Sequence, residues 1–260
     1  MAGNPEARNL AVFCDFENVA LGVREAKYAQ FDMEKVLERL LAKGSIVVKK
    51  AYCDWERYKE FKAAMHAASF ELIEIPHVRQ SGKNSADIRM VVDALDLCYT
   101  KAHVDTFVIV SGDSDFSPLV SKLRENAKTV IGVGVKNSSS DLLISNCDEF
   151  IYYDDLVRQD EQKRRAAKKR REAAPPGEDK RQEAIDLVLG TLEALIAERG
   201  AEEKIWGSMV KQALKRRNPG FNESYYGYKA FSDLLEDAEK RNLIKLEPDE
   251  KSGGYVIRPA

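Results

Sequence analysis

The chain is short of the residues that mark soft-metal and nucleophile sites: it has only three histidines and four cysteines. The histidines, His66, His77 and His103, are scattered, and none accompanies a serine or cysteine nucleophile motif, so no Ser-His-Asp arrangement is read here. Cys14, Cys53, Cys98 and Cys147 lie far apart with no CxxC pair. That spacing points to buried, reduced thiols in a cytosolic protein rather than to zinc or a disulfide framework. No run of about 18 apolar residues occurs, and MAGNPEARNL has no basic region leading into an apolar stretch, so a cytoplasmic location without membrane insertion is the expectation. GxxxxGK[ST] is missing too, and GVGVKN has two glycines without the third of a dinucleotide fingerprint, which suits close backbone approach better than nucleotide binding.

What is present suits a soluble globular protein: 44% hydrophobic and 32% charged residues over 260 positions, enough for two domains. The net charge of -2 hides a segregation. Residues 1–157 carry 19 Lys+Arg against 24 Asp+Glu, residues 158–180 carry 9 against 5, and residues 181–260 carry 13 against 14, so the connector alone is basic.

Up to residue 157, strand-like apolar runs alternate with helical patterns. NLAVFCDF, IVVKKAYCD, FELIEIPH, DTFVIVS, KTVIGVGV and EFIYY read as strands. Between them FDMEKVLERLLAKG, ERYKEFKAAMHAAS, SADIRMVVDALDLCYTK, SPLVSKLREN and SSDLLISNC have helical spacing. This pattern predicts an α/β fold, a mostly parallel sheet with helices on both faces. RQDEQKRRAAKKRREAAPPGEDK, residues 158–180, has almost no core material and reads as a solvated linker or an exposed helix broken at Pro175-Pro176. Residues 181–260 predict three helices, among them a long one over SYYGYKAFSDLLEDAEKRN, and two short strands joined by a tight turn. That is the make-up of a small winged-helix domain.

The run FVIVSGDSDF poses the chemical question, because an apolar strand breaks into two acids. In parallel α/β sheets the ligand crevice lies beyond the carboxyl ends of the strands. Asp15 ends the first strand, Asp113 and Asp115 follow TFVIV, and Asp87 falls in the first turn of a helix that Ser85 is expected to cap. Asp93 and Asp96, farther along that helix, are expected to face solvent. Carboxylates crowded in a crevice raise one another's pKa values unless a cation neutralises them. With oxygen donors and no His or Cys nearby, the fitting ion is hard, Mg²⁺ or Mn²⁺, and the fitting chemistry is hydrolysis of a phosphodiester. Each acid also has a plain structural reading: Asp115 as a helix cap, Asp87 as a favourable charge at a helix start.

FCDFENV, KNSADIRMVVDAL, IVSGDSDFSPLV, and VIGVGV followed by SSSDLL together resemble the NYN domain, the LabA-like branch of the PIN-like nuclease superfamily, over about residues 9–155. The resemblance implies a PIN-like Rossmannoid sheet, metal binding by Asp15, Asp87, Asp113 and Asp115, help from Asn18 in the same pocket, and metal-dependent cleavage of RNA, taken as single-stranded. It also allows a homodimer. NPGFNESYYGYKAFSDLLEDAEKRNLIKL resembles the LOTUS or OST-HTH domain, a winged-helix module associated with RNA. The expected organisation is therefore a nuclease domain over 1–157, a basic linker over 158–180 and a LOTUS domain over 181–260.

Two basic clusters are candidates for RNA phosphates. Lys163, Arg164, Arg165, Lys168, Lys169, Arg170 and Arg171 lie in the linker. Lys211, Lys215, Arg216 and Arg217 lie on or after a helix of the last domain, where Tyr225, Tyr226 and Tyr228 are candidates for base stacking or for core.

Two other readings stay open. A haloacid-dehalogenase-like phosphatase needs a second Asp two residues after the first, where this chain has Glu17, and a Toprim domain needs Glu in place of Asp15. A binding module would keep the acids as structural groups and hold RNA or a protein through the basic segments.

Overall fold

RNLAVFCD forms the first strand, β1 (Arg8–Asp15), buried from Leu10 to its end. A run without polar alternation suits a strand covered on both faces. The computed structural model describes residues 8–28, 30–75, 84–173, 179–200, 202–249 and 254–260. These fall into two compact units, Met1–Leu40 with Gly44–Arg158, and Leu41–Lys43 with Gln159–Ala260.

In the larger unit β1 is followed by α1 (Phe16–Glu25), α2 (Met33–Lys43), β2 (Gly44–Cys53), α3 (Lys59–Ala67), β3 (Glu71–Glu74), α4 (Ser85–Thr100), β4 (Thr106–Val110), α5 (Ser117–Glu125), β5 (Thr129–Gly134), α6 (Asp141–Asn146) and β6 (Glu149–Tyr152). All six strands pair in parallel in the order β3-β2-β1-β4-β5-β6. The order reverses between β1 and β4, the point at which doubly wound sheets open a crevice at the carboxyl edge. Val12, Cys14, Val108 and Val110 face α1, α2 and α3, while Phe13, Phe107 and Ile109 face α4 and α5, so helices cover both sides. Phe13 and Phe107 stack with ring centroids 6.0 Å apart across the β1–β4 pair.

Helix α1 is not expected from the sequence pattern, because its residues follow the strand with no turn between them. Its first residue, Phe16, is wholly buried and meets the rings of Phe31, Trp55, Tyr58 and Phe61 at 5.0 to 6.0 Å. Phe16→Ala should lower unfolding stability by about 3–5 kcal/mol, measured by denaturant titration, since it empties the centre of that cluster. A loss below about 1 kcal/mol would show that the ring cluster is not a source of stability.

Glycine is required where backbones approach closely. A Cβ on Gly112 would lie 2.3 Å from the Ser138 carbonyl oxygen, and one on Gly132 would lie 2.4 Å from the Phe150 ring. The glycines of VIGVGV thus make room chiefly for side chains, Phe150 at Gly132 and Ser139 at Gly134, where close backbone approach was expected. Cys14, Cys53 and Cys98 are buried and Cys147 is half-buried, all four as free thiols. His66 and His103 are exposed, whereas His77 lies outside the described residues.

Helix α7 (Tyr153–Ala173) is continuous through the basic positions 163–171, so the first part of the segment expected to be a linker is helical. Pro175 and Pro176 lie outside the described residues. The smaller unit contains α8 (Asp179–Arg199), β7 (Ile205–Trp206), α9 (Gly207–Arg217), α10 (Phe231–Lys240), β8 (Ile244–Asp249) and β9 (Gly254–Pro259), the strands forming an antiparallel sheet in the order β7-β9-β8. Ile185, Val188, Leu192, Val210, Leu214, Leu234 and Ile257 form its core.

The long helix expected over SYYGYKAFSDLLEDAEKRN is interrupted. A short 3₁₀ turn covers Glu223–Tyr226, Gly227 is left-handed at φ 83°, and Ala230 is extended before α10 begins. The left-handed residue ends one helical segment where the spacing of apolar residues had suggested continuity. The turn expected between β8 and β9 lies outside the described residues. Among the described residues no helix is long and apolar enough to cross a membrane.

Candidate active site

The acids gather where strand order reverses. Asp15 is the last residue of β1 and caps α1, its Oδ1 accepting from the Asn18 backbone N–H at 3.4 Å. It is 7% exposed, so the cap is a buried one. Across the β1–β4 junction the Ser111 hydroxyl donates to Asp15 Oδ2 at 3.0 Å and accepts from the Asp113 N–H at 3.2 Å. One serine thus ties the first acid to the loop bearing the next two. Asn18 does the same from the other side, its Oδ1 accepting from the Gly112 N–H at 2.8 Å. The Gly112 carbonyl in turn accepts from the Ser140 N–H at 2.9 Å, which holds that residue at both ends.

Asp113 caps the short turn Ser114–Phe116 by accepting from the Asp115 N–H at 3.0 Å. The capping considered for Asp115 therefore belongs to Asp113, and Asp115 is exposed. Asp87 lies in the first turn of α4, half-buried. The cap position is Asn84, whose side chain makes no capping bond, and Ser85 is the first helical residue rather than the cap.

The acids act on one another through their charges: Asp15 responds to Asp87 and Asp113, and Asp87 to Asp113 and Asp115. Burial, then the charges of Asp87 and Asp113, push the Asp15 carboxyl up to about 7, against the opposing bonds from Ser111 and Asn18. Burial, then Asp113, Asp115 and Glu17, raise Asp87 as well. Glu17 belongs to these acidic surroundings, and sequence reasoning passed over it. It pairs with the exposed Arg57 at 3.1 Å. Ser111 was also passed over, although it stands inside the motif IVSGDSDF.

Asp93 departs from expectation. Its carboxylate accepts from the buried Tyr52 hydroxyl at 2.9 Å and from Arg89 at 3.1 Å, with Lys50 at 3.4 Å, so it is a bonded structural acid. Asp96 is exposed, as expected.

The donor set is oxygen only, which suits a hard cation. Among the described residues no three His, Cys, Asp or Glu side chains form a ready cage for an ion. Mg²⁺ commonly takes one or two carboxylates and keeps its remaining positions for water and phosphate, so a ready cage is not what such a site requires. A buried carboxyl raised by neighbouring acids is the feature that a cation would relieve, and on that ground the residues fit one.

The basic candidates are distributed differently. Arg164 and Arg165 are exposed on α7, Arg164 paired with Asp160 at 3.2 Å, while the side chains of Lys163, Lys168, Lys169, Arg170 and Arg171 lie outside the described set. On α9, Lys215 is exposed, Lys211 pairs with Glu223 at 2.7 Å, Arg217 donates to Thr191 Oγ1 at 3.2 Å, and Arg216 is half-buried. Tyr228 is buried and donates to Asp237 at 2.6 Å, and Tyr226 stacks on Phe221 at 5.4 Å. Tyr225 alone of the three is exposed, with the Lys180 ammonium 4.7 Å from its ring centroid.

A profile of the NYN domain matches residues 9–154. Over 125 residues the chain is 29% identical to an uncharacterized protein of Methanocaldococcus jannaschii, covering 48% of this chain and 49% of that one. Over 148 residues it is 25% identical to meiosis regulator and mRNA stability factor 1 of Xenopus tropicalis, covering 57% of this chain and 9% of that one. The matches therefore span about half the length of the first relative and a small part of the second. A crystal structure of a protein of unknown function from Vibrio parahaemolyticus is similar with a TM-score of 0.53 at 27% identity, covering 59% of this chain and 98% of that one.

Proposed function

The chain belongs to the NYN domain family, generally RNase-like nucleases, and from that premise we propose that it hydrolyses RNA phosphodiester bonds with the help of Mg²⁺ or Mn²⁺. The observation that carries this reading is the buried Asp15 carboxyl raised to about 7 beside Asp87 and Asp113, at the switch point of the sheet. Asp15, Asp87, Asp113 and Asp115 would hold the cation. When bound, it supplies positive charge against the phosphate and acidity to a water.

The chain's own groups do the positioning. Ser111 orients Asp15 through Oδ2, and Asn18 fixes the Gly112 backbone from which Asp113 projects. With its carboxyl raised to about 7, Asp15 keeps its proton well above the ordinary carboxylate range, and that proton must leave before a cation enters.

The partner in this reading is single-stranded RNA, consistent with the mRNA-stability name of the Xenopus relative. The smaller unit, with its helices and three-stranded antiparallel sheet, is assigned as an accessory winged-helix module of the LOTUS type, over about residues 181–260. Lys211, Lys215, Arg216 and Arg217 offer it phosphate contacts, and so do the seven cations at 163–171. A homodimer and a cytoplasmic location belong to the same proposal.

The test is incubation of the protein with labelled single-stranded RNA and with a phosphomonoester, in Mn²⁺, in Mg²⁺ and in chelator. Shortening of RNA in metal only is expected; release of inorganic phosphate alone would favour a phosphatase, and binding without product a binding module. Replacing the seven cations at 163–171 by alanine should flatten the slope of log affinity against log salt by about 0.7 for each phosphate that they neutralise. An unchanged slope would remove the linker from the RNA path.

A further inference from the structure

Beyond the acids the larger unit has a cleft of about 730 Å³ between α4, α5 and α6, within the size range of small-molecule sites. Asp87 and Asp115 contribute to its lining. Its walls are of a different kind. Ile88 and Val92 on α4 and Leu142 on α6 are 64%, 56% and 55% exposed, large apolar side chains with no core to bury them. Pro118 adds to the same lining. Among the described residues, no Lys or Arg lines the cleft. A phosphate would find nothing there to neutralise it, whereas an uncharged flat ring would find apolar contact on several sides.

A second observation is independent of the first. Ser117, the first residue of α5, is 6% exposed and lines the cleft, yet its hydroxyl has no hydrogen-bond partner among the described residues. Buried hydroxyls are ordinarily bonded, and a lone one carries a desolvation cost that a ligand edge can relieve once the side chain turns toward the cleft. Nearby, Asn146 donates through Nδ2 to the Leu142 carbonyl, and among the described residues its Oδ1 has a long contact, 3.5 Å, from Ser121. A hydroxyl and an amide oxygen at the edge of an apolar slot are the groups that read the rim of a heterocycle.

We propose that this cleft is a nucleobase subsite, receiving the base of a nucleotide next to the phosphate held at the acids, with Ile88, Val92 and Leu142 against its face and Ser117 and Asn146 at its edge. The assignment rests on the ribonuclease reading for its ligand class, single-stranded nucleic acid. It adds a base preference at one position flanking the cut, which phosphate contacts alone would not produce. Double-stranded RNA, whose bases are stacked and paired, would not enter.

The test uses the full chain carrying Asp113→Asn, so that nothing is cut, and a short single-stranded RNA with one 2-aminopurine whose fluorescence reports its surroundings. The same RNA with an abasic site at that position is the comparison. A rise in emission is expected, since the base leaves its stacked neighbours for a cleft lined by no aromatic side chain among the described residues, and the base-bearing RNA should bind roughly tenfold tighter than the abasic one, in line with burial of one base's apolar area. Val92→Asp, at an exposed helical position, should abolish that difference, and Ile88→Asp should repeat the result. Ser117→Ala should alter the preference among the four bases while keeping the abasic affinity. Equal affinity for base-bearing and abasic RNA, or a difference that survives Val92→Asp and Ile88→Asp, overturns the subsite. A change in particle mass on sedimentation with unchanged RNA affinity would give the groove to a second copy of the chain and overturn it too. The uncut-RNA measurement is separate from activity: absence of metal-dependent cleavage by the unsubstituted protein would sink the ribonuclease reading without touching base-dependent binding.

Discussion

Asp113→Asn should lower metal-dependent RNA cleavage by roughly a thousandfold, the effect of removing several kcal/mol of charge stabilisation from the reacting centre. The substitution isolates charge from structure. An asparagine keeps the oxygen that accepts from the Asp115 N–H, so the turn Ser114–Phe116 keeps its cap, and the half-buried position tolerates the amide. Thermal melting should accordingly stay close to that of the parent. Asp113→Ala removes the cap as well and should cost about 1 kcal/mol of stability in addition. Single-turnover cleavage of labelled RNA at saturating Mn²⁺ measures the first effect. Activity within tenfold of the parent would mean that the acid after β4 does not serve the chemistry.

The second large effect is a pH dependence of stability. Unfolded, Asp15 releases its proton near the ordinary value of 3.8; folded, it does so near 7. Between those values the folded chain binds more protons than the unfolded one, so stability falls as pH rises through that window and levels off above about 7. A shift of about three units corresponds to at most about 4 kcal/mol. Asp87, also raised, acts in the same direction. Melting in chelator from pH 5 to 8.5 should show the decline, and Asp15→Asn should flatten most of it. Mn²⁺ should restore stability most strongly at the alkaline end, because its affinity grows until the Asp15 proton has gone. If the asparagine variant has the same pH slope as the parent, the buried acid is not the source.

The candidate site was readable in the sequence because its acids interrupt apolar runs. A strand of the type TFVIV has no reason to end in Asp113 and Asp115 unless something polar is met there, and Asp15 repeats the pattern after AVFC. The parallel sheet was readable for the same reason, since strands buried on both faces leave unbroken apolar stretches. Ser111 and Glu17 escaped because their importance comes from geometry: one bridges two strands distant in sequence, and the other enters the field of Asp87 from another element. Asp93 was misread because its partners Tyr52 and Lys50 belong to β2, about forty residues away. The cleft was hidden for a related reason. In IRMVVDALDLC the apolar residues are too many for one face, and only the fold shows that Met90, Ala94 and Cys98 are inside while Ile88 and Val92 are out. Tyrosines before α10 suggested one long helix, and only the backbone at Gly227 reveals the break.

One peptide bond separates Asp15 from Phe16, the hub of the five-ring cluster. The buried Asp15 carboxyl is therefore anchored beside a packed aromatic cluster, and is not released by fraying of a surface segment. Loss of chemistry and loss of the folded state should arrive together in this half of the molecule, so heat would silence it abruptly instead of by degrees.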